Sequence, residues 1–236
     1  MKVYIINVST NELRKNHMLD LIKQNGCLRD NFFVHDGDMD AISPTILNQF
    51  FSGELSVLSP AVSCAYKHIL AYKQILNSDD EIALILEDDI FLEKDFCAKL
   101  EKIIAEIKER KLANFLISLE DSSLRYVKGS LLKINTMLYK APYGRMTGAY
   151  LIDKKCAQNM VDEIIKNKCH LTIDWYHNHC SDIGLMTIYW VHPTIAIQGS
   201  LYGKIPSLID GKKHGKIRAF AFSLTRIYKK ILFSLR

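Results

Sequence analysis

Three consecutive carboxylates, Glu87-Asp88-Asp89, end an apolar run that starts at Ile82, and the chain turns apolar again at once in Ile90-Phe91-Leu92. Adjacent acids repel one another unless a cation or ligand hydroxyls hold them, and carboxylate oxygens are the ligands that Mg²⁺ and Mn²⁺ prefer. A run such as Ile82-Ala83-Leu84-Ile85-Leu86, apolar on both faces, belongs in the middle of a sheet covered by helices. Open α/β sheets bind ligands just beyond the carboxyl ends of their strands. The pattern therefore predicts a divalent-cation site serving a phosphate-bearing substrate. A plain exposed acidic turn is the alternative, and the abruptness of the change on both sides of the acids disfavours it.

Other residues capable of chemistry are spread along the chain. Asp36-Gly37 forms a turn where a carboxylate beside a glycine can meet a hydroxyl-bearing ligand, or a simple Asp-Gly turn. Cys64 and His68 stand four apart on one helix face, which permits metal binding, although such a pair within an apolar helix is ordinarily just packed. Asp174 is followed by Trp175 and Tyr176, a composition suited to sugars because aromatic faces stack on the apolar faces of pyranose rings. Cys169, His170, His177, His179 and Cys180 match no structural zinc spacing. The six cysteines are scattered without a CxxC pair and read as reduced thiols.

The elements that must position these residues alternate between strand and helix. Residues 2–8 read as a first strand, and Ser9-Thr10-Asn11-Glu12 supplies cap candidates for a helix through about Gln24. Phe32-Phe33-Val34 is a second strand, and Ser59-Pro60 opens a helix to Asn77. A helix over Glu93–Arg110, a strand at Phe115–Leu119 ending in Glu120-Asp121, and a hairpin-like excursion over 124–140 follow. The strand at Met146–Ile152 contains Gly148, where the backbone can approach a ligand closely. A helix from Lys154 to Asn167 and a late strand at Met186–Val191 lead to His192 and Gln198. Alternation of this kind indicates a mostly parallel central sheet flanked by helices.

A chain of 236 residues, 48% apolar, is long enough for one sizeable core. The initial apolar run is too short for a signal-peptide core, and the expectation is a cytoplasmic protein. The net charge of +5 is uneven: residues 207–236 hold eight Lys/Arg against Asp210 alone, leaving the body at −2 and the tail at +7. The expected division is therefore a domain over 1–206 and a basic tail over 207–236. In the tail, Phe220, Leu224, Ile227, Ile231 and Leu235 form a stripe with Arg218, Arg226, Lys229 and Lys230 beside or opposite it. That is the pattern of an interfacial helix on an anionic membrane. Packing of the stripe on the domain, or a dimer contact, are the alternatives.

Several motifs in order resemble glycosyltransferase family 25, which includes bacterial lipooligosaccharide galactosyltransferases. A family strand "Y-x-I-N-L" with an Arg in the next helix is similar to Tyr4-Ile5-Ile6-Asn7-Val8 and Arg14, and "V-D-G" to Val34-His35-Asp36-Gly37. The helix start "L-[ST]-P-G-E-x-G-C-x-x-S-H" resembles Leu58 to His68, with Val62, Ser63 and Lys67 in place of Glu, Gly and Ser. "A-L-x-L-E-D-D" is similar to Ala83–Asp89, "G-T-x-A-Y-L-I" to Thr147–Ile152, and "P-I-D" to Thr172-Ile173-Asp174. The resemblance spans roughly residues 2–205.

The resemblance implies a GT-A type nucleotide-sugar fold and inverting transfer, typically of galactose from UDP-galactose in a β1,4 linkage onto a lipid-linked lipooligosaccharide. It implies Mn²⁺ (or Mg²⁺) on Asp89, Glu87 and Gln198, with His192 the alternative late ligand, and Glu87 also placed for the ribose. Asn7, Arg14, Asp36, Gly37, His68, Asp88 and Gly148 would bind the donor. Inversion needs a base opposite the leaving group. Asp174 is the candidate, Glu120 or Asp121 the runner-up, and Trp175 and Tyr176 would bind the acceptor. The expected place of work is the inner membrane surface. The competing readings are a nucleic-acid-binding protein using the basic tail, against which the acidic cleft argues, a nucleotidyltransferase, which lacks its basic glycine-rich loop here, and an inactive transferase-like protein, against which the intact acids argue.

Overall fold

The computed structural model describes residues 1–121, 125–205 and 216–235, with side chains described from 223 onward in the last segment apart from Ser234. The expected domain boundary at 206/207, Asp210, Lys212, Lys213, Arg236 and the side chains of Lys216, Arg218 and Phe220 lie outside the described residues.

Seven strands form the central sheet: β1 (Val3–Ile6), β2 (Asn31–Val34), β3 (Ile82–Glu87), β5 (Phe115–Ser118), β6 (Leu138–Ala141), β7 (Ala149–Asp153) and β8 (Thr187–Val191). Their order is β2-β1-β3-β7-β5-β8-β6. β2, β1, β3, β5 and β8 run one way, while β7 and β6 run against their neighbours, so the sheet is mostly parallel. Helices α1 (Glu12–Gln24) and α4 (Phe96–Glu109) cover one face. Helices α3 (Pro60–Leu76), α5 (Lys154–Asn167) and α6 (Ile173–Asp182) cover the other, with the short α2 (Pro44–Phe50) beside them. Alternation along the central strands explains both layers. Val3, Ile5, Leu84 and Leu86 enter the α1/α4 core, whereas Tyr4, Ile6, Ala83 and Ile85 enter the α3/α5/α6 core. Local signals fix the helix starts: Asn11 Oδ1 accepts from the Arg14 amide at 3.2 Å, and Ser59 Oγ from the Val62 amide at 3.4 Å ahead of Pro60.

Three sequence expectations change. The 124–140 excursion builds no hairpin among its described residues. Its strand β6 instead pairs with β8, Leu138 opposite Val191, because an apolar edge is better satisfied on the main sheet. The helix expected from Glu93 begins at Phe96. Cys27 and Cys97 form a disulfide, with Cα atoms 5.6 Å apart, instead of two reduced thiols. Their separation of 70 residues carried no hint of this, since the turn after α1 meets the start of α4 only in three dimensions.

A small ribbon stands apart from the central sheet. β4 (Ile90–Leu92) runs antiparallel to β9 (Ala196–Gln198), pairing Ile90 with Gln198. The last helix, α7 (Lys216–Ser234), lies against the domain through Arg226, which donates to Asp121 at 2.5 and 2.9 Å, and through Phe233, 6.0 Å from the Tyr126 ring. Its expected apolar stripe faces away: Leu224, Ile227, Ile231 and Leu235 are all exposed, as is Tyr228. No helix among the described residues is long and apolar enough to cross a membrane.

Candidate active site

The parallel register brings the carboxyl ends of β1, β2 and β3 together, Ile6 lying beside both Val34 and Glu87. Asn7, the turn after β2 and the three acids after β3 therefore meet at one edge. There a pocket of about 380 Å³ is lined by Asn7, Thr10, Arg14, Asp38, Lys67 and Asp88, among others, with Cys64 and Glu87 also on its wall. Each acid has its own surroundings. Asp88 is buried, pairs with the Arg14 guanidinium, and accepts from Asn7 Nδ2 at 2.8 Å. Glu87 accepts from Thr147 Oγ1 at 2.6 Å and from Gln198 Nε2 at 3.3 Å. Burial alone would raise its pKa, but His68, Thr147 and the Arg14 charge outweigh that and hold the carboxyl below the usual range.

Asp89 is the least compensated member. Arg14 Nη2 is 3.7 Å away and the Ser200 amide 3.4 Å, while its Oδ1 is buried without a hydrogen-bond partner among the described residues. Burial, then the neighbouring Glu87 charge, push its pKa up to about 6. Gln198 Oε1 is likewise a buried acceptor without a partner among the described residues. The β4–β9 pairing sets Gln198 beside this turn, the Gly199 amide donating to Asp89 O at 2.7 Å. Two orphaned acceptors, one of them on a carboxylate that shares Arg14 with Asp88, are the chemistry a hard divalent cation satisfies. The residues expected to hold Mn²⁺ or Mg²⁺ thus fit that group.

A family model described as "Glycosyltransferase family 25 (LPS biosynthesis protein)" matches residues 1–176. The chain belongs to that family. As a family 25 glycosyltransferase it is a sugar-transferring enzyme of the lipopolysaccharide-biosynthesis class. Its helix-flanked, mostly parallel sheet with acids at the carboxyl edge is the architecture expected of a GT-A type domain. No curated protein matches the chain. Among solved structures, the inositol-1-phosphate CTP transferase from T. maritima is 12% identical over 95% of this chain and 94% of that one, with a TM-score of 0.40, a likeness too distant to carry an argument.

The pocket of this family 25 chain brings together part of the residues singled out from sequence. Asn7, Arg14, Glu87 and Asp88 line the pocket, and His68 stands behind it with Nε2 3.5 Å from Glu87 Oε1. Asp174 lies in the first turn of α6, its Oδ1 accepting from Thr172 Oγ1 at 2.7 Å. It is not among the residues that line the pocket. Trp175 is exposed, but Tyr176 is fully buried and cannot offer its ring to an acceptor. The physical reason is helical period: Ile173, Tyr176, His177 and Cys180 form the face of α6 that packs on the core, and Trp175 points away.

Asp36 is exposed, and Asp38 is the acid of that turn on the pocket wall. Asp38 pairs with the buried Lys67 ammonium and accepts from the Ser9 amide at 2.9 Å. Against its burial, these hold its carboxyl below the usual range. Gly37 is needed for packing, since a Cβ there would sit 2.6 Å from Lys67 Cγ. Gly148 makes its close approach to protein, a Cβ there meeting Glu120 Oε2 at 2.7 Å, and its amide donates to Glu120 Oε1 at 2.8 Å. The runner-up bases are both engaged, Glu120 by Gly148 and Asp121 by Arg226 and Tyr202. His192 stacks edge-on against Tyr139, their ring centroids 6.3 Å apart. The sequence signal for Asp38 and Lys67 was present: a second acid two residues after Asp36, and a Lys where relatives carry Ser.

Proposed function

We propose that this chain transfers a hexose, galactose from UDP-galactose, with inversion and in a β1,4 linkage, onto the terminal sugar of a lipid-linked lipooligosaccharide. The observation that carries the reading is the pair of buried acceptors without a partner among the described residues, Asp89 Oδ1 and Gln198 Oε1, beside a pocket that holds the Arg14 cation. Asp89, Gln198 and Glu87 would hold Mn²⁺ or Mg²⁺. Such an ion supplies charge neutralisation for a departing diphosphate.

The chain's own groups do the rest. Arg14, already fixed by Asp88, presents positive charge to the pocket. Asn7 and the Asp38 turn, braced by Lys67, line the walls against the nucleoside. Asp174 takes the proton from the acceptor hydroxyl as its oxygen bonds to the anomeric carbon. The bond from that carbon to the diphosphate oxygen breaks, and UDP leaves with the electron pair. Trp175, exposed beside Asp174, offers a face for the acceptor ring.

The outward stripe of α7 supports action at an anionic membrane surface, because the helix meets the domain through Arg226 and Phe233 and leaves Leu224, Ile227, Ile231 and Leu235 to the outside. The test is a donor screen that measures UDP release with glucoside, galactoside and GlcNAc acceptors, in Mn²⁺ and in EDTA. Release specific to UDP-galactose and abolished by EDTA is expected. Equal turnover in EDTA, or preference for another donor, overturns the reading.

A further inference from the structure

At the pocket wall lies a group of side chains of which the proposed sugar transfer uses only Glu87. Cys64 Sγ, a nitrogen of His68 and a carboxylate oxygen of Glu87 all lie within 4.8 Å of one another. Among the described residues this is the one set of three or more Cys, His, Asp and Glu ligand atoms that converges so closely; the three consecutive acids do not. Cys64 is also the one free cysteine that is not buried, and it lines the pocket, so an ion has a route in.

The second observation concerns His68, which is fully buried with no hydrogen-bond partner for Nε2 among the described residues. Its other nitrogen, Nδ1, is 2.7 Å from Tyr150 Oη. Tyr150 Oη is 2.9 Å from Tyr72 Oη, which is 2.7 Å from His177 Nε2. Burial keeps His177 neutral, its pKa pushed down to about 3. This chain of hydrogen bonds can run in two directions. Run one way, Tyr150 donates to Nδ1 and His68 carries its proton on Nε2, 3.5 Å from Glu87 Oε1. Run the other way, Tyr72 donates to His177, Tyr150 donates to Tyr72, and His68 Nδ1–H donates to Tyr150. Nε2 then gives up the proton that favours the Glu87 carboxylate and presents a lone pair that an ion between the two groups can take. A lone pair facing a carboxylate beside a thiol is a ligand set, and the donated Nδ1–H is the outer hydrogen bond that metal-binding imidazoles make.

We propose that Cys64, His68 and Glu87 form a binding site for a thiophilic divalent cation such as Zn²⁺, with its fourth position open to the pocket and with the Tyr150–Tyr72–His177 chain setting the His68 tautomer. The thiol and imidazole make it selective for Zn²⁺ or Co²⁺ over Mg²⁺ and Mn²⁺. The thiol proton leaves when the ion binds. Glu87 is common to this site and the donor site, so an ion here withdraws Glu87 from the donor. The proposal does not depend on which sugar is transferred, because it is tested by binding alone.

The experiment titrates the metal-free full chain with Co²⁺ and records the near-ultraviolet thiolate-to-cobalt charge-transfer band. Zn²⁺ affinity is measured in parallel by calorimetry. The expected result is a saturable one-equivalent band in the natural chain that is absent in Cys64→Ser, with at least tenfold weaker Zn²⁺ binding in that variant. Cys64→Ala serves as the second variant, and circular dichroism reports folding of both. No band in the natural chain, or a band and Zn²⁺ affinity unchanged in a folded Cys64 variant, overturns the proposal.

Discussion

Replacing Asp89 by Asn should make the protein more stable while removing its activity. In the fold the Asp89 carboxyl titrates at about 6 against an ordinary 3.8, because burial and the Glu87 charge disfavour its ionised form. A displacement of roughly two pKa units corresponds to about 3 kcal/mol. The sign follows from linkage. Below pH 3.8 the group is protonated in folded and unfolded chains and costs nothing. Between that value and about 6 the unfolded chain loses its proton first, so stability falls as pH rises. Above about 6 the whole cost is present. In EDTA at pH 7.5, Asp89→Asn should therefore melt roughly 6–12 °C higher than the natural chain. The gap should close as pH is lowered toward 4. Mn²⁺ should raise the melting temperature of the natural chain and leave that of the variant nearly unmoved. Differential scanning fluorimetry across pH, with and without Mn²⁺, measures all three. A variant less stable at pH 7.5, or an equal Mn²⁺ shift in both proteins, would refute the argument that Asp89 is a buried charge awaiting a cation.

Asp174→Asn should lower turnover by about 10²–10⁴-fold with donor affinity unchanged, as equilibrium UDP binding will show; near-normal turnover in a folded variant removes Asp174 as the base. Gly37→Ala should cost about 1–3 kcal/mol in urea unfolding, since Lys67 cannot yield while it is held by Asp38 and by the Asn7 carbonyl at 2.8 Å. A chain ending at residue 210 should fail to co-sediment with anionic liposomes, and added salt should weaken binding of the full chain; equal binding by both chains refutes a membrane role for α7.

The sheet was legible because its evidence is local. Residues 82–86 are apolar on both faces, and the change to Glu87 marks where that strand ends. Ser59-Pro60 fixes a helix start in the same way. What sequence could not show is which way a side chain is spent. Asp36 and Asp38 flank the same glycine, yet only Asp38 meets a buried Lys67, whose helix arrives from elsewhere in the chain. Tyr176 beside Trp175 reads as a sugar platform until the period of α6 sends one ring into the core and the other outward. The Cys27–Cys97 link and the pairing of Arg226 with Asp121 are both long-range meetings without a local signature.

The β4–β9 ribbon makes Asp89 and Gln198 a single mechanical part although Glu87 and Gln198 are 111 residues apart in sequence. Loops between β4 and β9 can lengthen or shorten while the ladder keeps Gln198 opposite Ile90 and the Gly199 amide on the Asp89 carbonyl. Slippage of β9 by one residue is another matter: it would turn the Gln198 amide to the opposite side of the ribbon and dismantle the pair at a stroke. Insertion should thus be tolerated only in the connecting loops of the intervening chain, and not within the three residues of β9 itself.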